Sequence, residues 1–517
     1  MRKRPSKPLP RRKPRGSNLR PILSVIVPAR NESRTIGGVV RNARAIMRRT
    51  EVIVVVNGSS DLTARVAQRA GARIVRYSEP VGHDVGRSIG ARHARGRVLL
   101  FVDADFVLPV STLRSYVRAV LRGQDIVLNS YSGFADAKRM HSTSEAKRLI
   151  NRIIGRGDLM GSSMTAVPHA MSKRAAYIIG LSELSVPPKA QAKAIINGLS
   201  VTRAPLVEVS RLNRRRFGRI GTASVERLIL GDHAEAIHYL TEVKGHRAGL
   251  TDLWRNRSLL DFYPKTDNLP PVEGLDPRLS VIIVAQNEEE TIHDVLMTAK
   301  ALVPEEIIVV VNGSTDRTAD IVNGHGVKQV HFSEPLGHDV GRAVGALHAV
   351  GEVLLFLDGD IVFEPEELWP FVASCRTGAD IALNNVNSFF QTVRMVDYVS
   401  MAKQFVNRVV CTPHLGFASM TAVPHALRRE AIERIGYRHL AVPPLAHAIA
   451  AVNGLNMQLV PGVDVFRTNR KRKVNSKDSN LVEKLILGDH VEAIQWLYQH
   501  FGPRVFFPDV LRRRDLC

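Results

Sequence analysis

The sequence predicts two α/β domains in tandem, each a mostly parallel sheet flanked by helices. Three observations point there. The chain repeats itself at a nearly constant offset, each copy alternates β-branched apolar runs with segments of helical periodicity, and the conspicuous polar residues fall just beyond the ends of those runs.

The repeat is extensive. "LSVIVPARNESRTI" (23–36) recurs as "LSVIIVAQNEEETI" (279–292), "VVVNGSSDLTA" (54–64) as "VVVNGSTDRTA" (309–319), and "SEPVGHDVGRSIGARHARG" (78–96) as "SEPLGHDVGRAVGALHAVG" (333–351). "SMTAVPHA" stands identically at 163–170 and 419–426, and "LILGDH" at 228–233 and 485–490. The offset drifts only from 255 to 257, so both copies share one fold throughout. This is a duplicated domain and not a solenoid of short repeats. The expected organisation is a basic tail over 1–21, a first domain over 22–260, a proline-rich linker over 261–277 and a second domain over 278–517.

Within the first copy the elements follow in order. "SVIVP" is a short buried strand, and "SRTIGGVVRNARAIM" places apolar residues at helical spacing. "EVIVVV" is a β-branched strand; "SSDLTARVAQRAG" is a helix with Ser or Asp available at its start and Gly71 past its end. "ARIVRY" is a third strand, "GHDVGRSIGARHARG" a helix and "RVLLFVDAD" a fourth strand. In such a sheet ligands sit beyond the carboxyl ends of the strands. Asn31 and Glu32, Asn57 to Asp61, and Asp103 with Asp105 all stand there.

Composition narrows the function classes. The 517 residues, 44% of them hydrophobic, supply two cores, and a net charge of +23 points to polyanionic partners. Three cysteines without CxxC spacing argue against a disulfide framework and fit a reducing cytoplasm. No apolar run approaches the roughly 18–20 residues needed to span a bilayer. The tail "MRKRPSKPLPRRKPRGSNLRP" lacks an apolar segment behind its charges, so it reads as a disordered basic arm and not a secretory signal. It suits electrostatic contact with an anionic membrane surface, though a simply solvated tail explains it equally well. No helix-turn-helix, zinc-finger or RNP pattern supports specific nucleic-acid binding, and no GxGxxG follows the first strand.

Burying carboxylates at the end of a core strand is costly unless something positive meets them. Asp103 and Asp105, repeated as Asp358 and Asp360, lie two apart and in extended chain point to one side. Two hard oxygen ligands there suit Mg²⁺ or Mn²⁺ holding a diphosphate, and the small residue between them would let a ligand approach the backbone. The competing reading is that Asp105 only caps the next turn. In "NGSSDLTA" a tight turn and helix cap explain Gly58, Ser59 and Asp61, but not an Asn57 amide at the ligand edge, where it could pair with a base or ribose. Arg87 and Arg342 are either solvated helical arginines or groups reaching a diphosphate. Asp232, His233, Asp489 and His490 read as a polar contact between helices, with acceptor binding as the alternative.

The order PxxNE ("VAQNE" in the second copy), NGSxDxT, GxxxGRxxG and LLFxDxD, twice in one chain, resembles the nucleotide-sugar domain of family-2 glycosyltransferases, the GT-A fold. The resemblance is strongest over 22–110 and 278–365. It implies that Asp105 and Asp360 bind the divalent metal, Mg²⁺ or Mn²⁺, with Asp103 and Asp358 beside the ribose or metal. Asn57 and Asn312 fall where the family usually has an Asp near the base. Arg87 and Arg342 match its phosphate-side arginine, and Glu32 and Glu288 the acid after the first strand. Where many members carry a late metal-binding His, this chain has Asn213 and Asn469.

The expected activity is transfer from a nucleoside-diphosphate sugar, UDP-linked, to a glycan, lipid-linked or protein acceptor of the cell envelope. The expected location is the cytoplasm, at the inner face of the membrane if the tail docks there. One departure stands out. The family's late Glu-Asp pair, which supplies a base in inverting members, is replaced by "LSVPPKAQ" and "LAVPPLAH". Glu183 in the first copy corresponds to His439 in the second, so no catalytic base is assigned. The rival reading is a non-catalytic nucleotide-sugar or glycan-binding scaffold.

Overall fold

The computed structural model describes residues 20–131, 140–209, 222–265, 276–390, 396–465, 480–509 and 512–517. Residues 1–19 of the basic tail, most of the expected linker, and the basic clusters holding Asn213 and Asn469 lie outside the described residues.

The first half contributes β1 (Leu23–Ala29), β2 (Thr50–Asn57), β3 (Arg73–Tyr77), β4 (Val98–Phe101), β5 (Ile126–Asn129), β6 (His169–Ser172) and β7 (Val201–Ala204). They form one sheet in the order β3-β2-β1-β4-β6-β5-β7. β1 pairs in parallel with β2 and β4, β2 with β3, and β5 with β7; β6 runs antiparallel to both neighbours. The second half repeats this with β8 (Leu279–Ala285), β9 (Glu306–Asn312), β10 (Lys328–Phe332), β11 (Val353–Asp358), β12 (Ile381–Asn384), β13 (His425–Arg428) and β14 (Met457–Val460). Each half therefore has the GT-A arrangement, a mostly parallel sheet with one reversed strand and helices over its faces.

The unbroken apolar runs are explained by cover on both faces. Residues 23–27 on β1 and 52–56 on β2 are buried, with alternate side chains feeding two core clusters. The helix Val85–His93 lies so close to β1 that a Cβ on Gly90 would come 2.4 Å from Ile26 Cγ2. Gly90→Ala overfills this contact and is expected to cost about 1–3 kcal/mol. Urea unfolding of the full chain checks it.

The two halves are not beads on a string. The helices Ser142–Ile153 and Thr222–Lys244 of the first half meet Tyr398–Val409 and Leu481–Phe501 of the second. Leu149, Ile153, Ile237, Phe405, Val409 and Ile494 belong to one buried apolar cluster that crosses the junction. Ion pairs repeat on either side of it: Arg152 Nε meets Glu483 at 2.7 Å, and the equivalent Arg408 meets Glu226 at 3.5 Å. The contact is self-complementary, as in a two-fold dimer, although both partners belong to one chain.

The long helices end at Gly245 and Gly502, both at φ 84, a left-handed conformation open to glycine that turns the chain away. The following segments then cross to the opposite half. Arg247, Arg255 and Arg257 pair with Asp489 and Glu492 of the second half's long helix. Arg504, Arg512 and Arg514 pair with Asp232 and Glu235 of the first. Asp232 and Asp489 thus make a polar contact between elements, as the sequence suggested, but with arginines from the other copy. His233 and His490 hydrogen-bond within their own helices, to the Ile229 and Ile486 carbonyls.

Candidate active site

The turn after β1 and the turn after β2 interlock at the carboxyl edge of the sheet. Asn31, at φ 56, accepts at Oδ1 from the Ser60 amide at 2.9 Å, and its own amide donates to Ser59 Oγ at 3.0 Å. Asp61 accepts from the amides of Ser33 and Thr63, at 3.1 and 2.9 Å. These contacts fix Glu32, whose amide donates to Thr63 Oγ1 at 2.7 Å. Glu288 repeats the arrangement with Thr318 at 2.8 Å.

The strand carrying the first carboxylate pair ends at Phe101, and that carrying the second at Asp358, so Asp105 and Asp360 lie in the turns that follow. The expectation of an extended Asp-x-Asp segment is thereby corrected. In the second half the Ile361 amide points back to the Asp358 carbonyl at 3.5 Å, bending the chain between the two acids. The small middle residue also has another cause than ligand access: Ala104 is buried in the core, and a Cβ on Gly359 would come 2.9 Å from Ala285 Cβ. Thr35 and Thr291, which sequence reading did not single out, donate from Oγ1 to the Ala104 and Gly359 carbonyls at 2.7 and 2.8 Å. They pin the acidic turn to the turn after the first strand.

Asp105 Oδ1 is closed off from solvent and has no hydrogen-bond partner. Burial, and then the charge of Asp103, push its carboxyl up to about 6. A buried, unpaired carboxylate oxygen beside a second carboxylate is a place where bound positive charge would relieve both penalties, so the residues present fit a divalent cation. Among the described residues no cluster of three or more His, Cys, Asp or Glu surrounds it. A cation here would take its other ligands from substrate oxygens and water.

Arg87 and Arg342 are buried and not solvated. Each is held by the aspartate at the start of its helix: Arg87 by Asp84 at 2.9 Å and Arg342 by Asp339 at 3.0 Å. Arg87 also donates to the Met164 carbonyl of "SMTAVPHA" at 3.1 Å and stands 3.7 Å from Asp103. Arg342 has closed on Asp358, with bonds of 3.0 and 3.2 Å. Asp84 and Asp339 sit at φ 62 and 65, unusual for a residue with a Cβ, and each also contacts the preceding histidine, His83 or His338, at 2.7 Å. The arginine and histidine outweigh burial and hold both carboxyls well below the usual range.

Asn57 is engaged as well. Its Oδ1 accepts from the Val81 amide at 2.5 Å and its Nδ2 donates to the Gly82 carbonyl at 3.2 Å. Asn312 holds Leu336 and Gly337 in the same way, at 2.6 and 3.3 Å. The asparagine therefore fastens the loop that leads into the arginine helix and keeps one amide hydrogen for another partner. Behind the site, His169 stacks on Phe101 with ring centres 4.8 Å apart and accepts or donates at the Ala166 carbonyl; burial pushes it down to about 3, so it stays neutral. The exact duplication of "GHDVGR" and "SMTAVPHA" was the signal for Asp84, His169 and their counterparts, but it named no role.

Glu183 pairs with Lys193 at 3.0 Å and Lys189 at 3.3 Å, and His439 bonds to the Ile435 carbonyl at 2.6 Å. Neither stands poised as a base.

The model of the family described as "Glycosyl transferase family 2" matches residues 24–179 and again 280–436. The 4,4'-diaponeurosporenoate glycosyltransferase of Staphylococcus haemolyticus is 32% identical over 112 residues, 20% of this chain and 30% of that protein. The undecaprenyl-phosphate 4-deoxy-4-formamido-L-arabinose transferase of Edwardsiella ictaluri is 29% identical over 156 residues, 28% of this chain and 46% of that one. The chain thus spans less than half the length of these relatives. Among solved structures, glucosyl-3-phosphoglycerate synthase from Mycobacterium tuberculosis in complex with Mn²⁺, uridine-diphosphate and phosphoglyceric acid aligns with 46% of this chain and 81% of that one, at 19% identity and a TM-score of 0.33. With the family's model matched once in each half, the chain belongs to glycosyl transferase family 2 as a tandem of two of its domains.

Proposed function

We propose that the chain is a metal-dependent glycosyltransferase with two donor sites, moving a sugar from a nucleoside-diphosphate sugar, UDP-linked, to a glycan or lipid-linked acceptor of the cell envelope. The observation that carries this is the unpartnered Asp105 oxygen beside Asp103, at the strand edge faced by a buried arginine, with the same residues at the same places in the second half. Asp105 and Asp360 would hold Mg²⁺ or Mn²⁺, which supplies Lewis-acid neutralisation of the leaving diphosphate.

The chain's own groups do the rest. Arg87 and Arg342 place fixed positive charge beside the donor's phosphates, in a site too buried for water to screen it well. Asp103 and Asp358 flank the same position and suit the ribose hydroxyls or the metal. Asn57 and Asn312, with Glu32 and Glu288, shape the edge where the base would lie. The bond between the anomeric carbon and the diphosphate oxygen breaks as the acceptor oxygen attaches, and the acceptor's proton leaves to a base that this chain has not been assigned. Among the described residues no helix is long and apolar enough to cross a membrane, so contact with a cytoplasmic membrane face would rest on the basic tail.

One observation favours the rival scaffold reading: Glu183 is committed to two lysines and its counterpart is His439. Purified full-length protein with Mn²⁺, screened against a panel of nucleotide sugars and potential acceptors, separates the two. Acceptor-dependent release of diphosphate is expected; tight nucleotide binding without release from any donor would leave the scaffold.

A further inference from the structure

We infer that each donor site is completed in trans: the segment following the long helix of one half is a working part of the other half's site. Arg255 and Asn256, in the first half's sequence, position the Leu336–Asp339 loop of the second. Arg512 and Arg513, at the chain's end, position the Val81–Asp84 loop of the first. The inference rests on the reading of Arg87 and Arg342 as diphosphate-side groups.

The contacts run in an unbroken series. The Asn256 amide donates to the Leu336 carbonyl at 2.8 Å. The adjoining Arg255 passes so near that a Cβ on Gly337 would stand 2.7 Å from its Cγ and 2.8 Å from its Cα. Arg255 itself is anchored on the second half, donating to the Ala441 carbonyl at 2.8 Å and pairing with Asp489, and its side chain is fully buried. From the opposite side Asn312 clasps the same Leu336 and Gly337. The loop then delivers Asp339, Asp339 holds Arg342, and Arg342 holds Asp358.

The first half shows the mirror arrangement. The Arg513 amide donates to the Val81 carbonyl at 2.9 Å, and Arg512 donates to the Ser185 carbonyl at 2.7 Å and pairs with Asp232. Asn57 clasps Val81 and Gly82, and Asp84 holds Arg87. A loop gripped from within by an asparagine and from without by the other half has few ways to relax. The buttress therefore sets where the arginine stands, and these residues are positioning residues that touch no substrate.

Two substitutions isolate the contact. Asn256 and Arg513 have φ values of −84 and −86, near the range proline adopts, so Asn256→Pro and Arg513→Pro each remove one N–H and leave the buried arginine pairs in place. Each is made in full-length protein carrying either Asp105→Ala, which leaves the second-half site, or Asp360→Ala, which leaves the first. UDP affinity is measured in Mn²⁺, together with melting temperature and hydrogen exchange of peptides 78–88 and 333–343.

Asn256→Pro is expected to weaken UDP binding about three- to tenfold at the second-half site, as loss of one buried hydrogen bond implies, and to leave the first-half site and the melting temperature unchanged. Arg513→Pro should do the reverse. Exchange should rise in the loop of the opposite half only. Equal loss at both sites, loss at the variant's own half, or no change in affinity and exchange overturns the inference. If UDP binds neither site in the parent protein, the donor reading fails on its own account. The exchange pattern then decides the buttress by itself: a rise in the opposite loop supports it, and its absence overturns it.

Discussion

Replacing both Asp105 and Asp360 by asparagine removes metal-dependent diphosphate release, by about a hundredfold or more, while the chain stays folded and its first half becomes slightly more stable. The loss follows from withdrawing the charge that would hold the cation against the leaving group; removing a single charge-stabilising contact in other sites costs about 10²–10³ in rate. The gain in stability follows from burial. Asp105 has an oxygen without partner and a carboxyl pushed up to about 6, so at neutral pH its ionised form opposes folding. Because the side chain is partly exposed, the cost is on the order of 1 kcal/mol after screening, or roughly 2–4 °C in melting temperature for a domain of this size. A residue retained for packing would show the opposite sign, since its replacement would lower the melting temperature. Assay of donor turnover alongside calorimetry reads both effects. The single variants should each retain part of the activity, in the proportion that the two sites contribute.

The second large effect is structural. Asp489→Ala should destabilise the chain by about 3–5 kcal/mol, because it strips a shared carboxylate from Arg247 and Arg255, both almost wholly buried. Asp232→Ala should do the same through Arg504 and Arg512. In each case the lesion lies in the helix of one half and the stranded arginines belong to the other. Both halves should therefore unfold together in a single lowered transition. Two separated transitions in differential scanning calorimetry, or a shift equivalent to less than about 1 kcal/mol, would count against this account of how the halves are joined.

Much of the fold was legible because the sequence says everything twice. Strand runs such as "EVIVVV" and "RVLLF" are apolar along their length because helices cover both faces of the sheet, and their ends mark the ligand edge. The reversed strand β6 was not legible, since "HAMS" is four residues long and carries no sign of direction. The carboxylates and arginines of the site could be located from motif order, but not their geometry. Asp105 and Asp360 turned out to lie in bends past the strands, and Ala104 and Gly359 are small because they pack on the neighbouring strand. Asn57 and Asn312 have a local task, holding the loop before the arginine, that a one-dimensional pattern cannot separate from contact with a nucleotide. The exchange of segments between halves was hidden for a simpler reason. "GHRAGLTDLWRNR" and "GPRVFFPDVLRRR" are equivalent in the repeat, and equivalence does not reveal whether a segment returns to its own domain or crosses to its twin. A run of arginines read as solvated surface became, on folding, the partner set for Asp232 and Asp489.

The central claim is that paired acids at equivalent strand ends hold a cation and, through it, a diphosphate in each half. Isothermal titration of UDP into the full-length protein in Mn²⁺ tests it most directly. Binding of two equivalents per chain is expected, falling to one in either Asp105→Ala or Asp360→Ala, and to none in the double variant or after chelation of the metal. Undiminished UDP binding by the double variant, or by the parent protein stripped of metal, would contradict it.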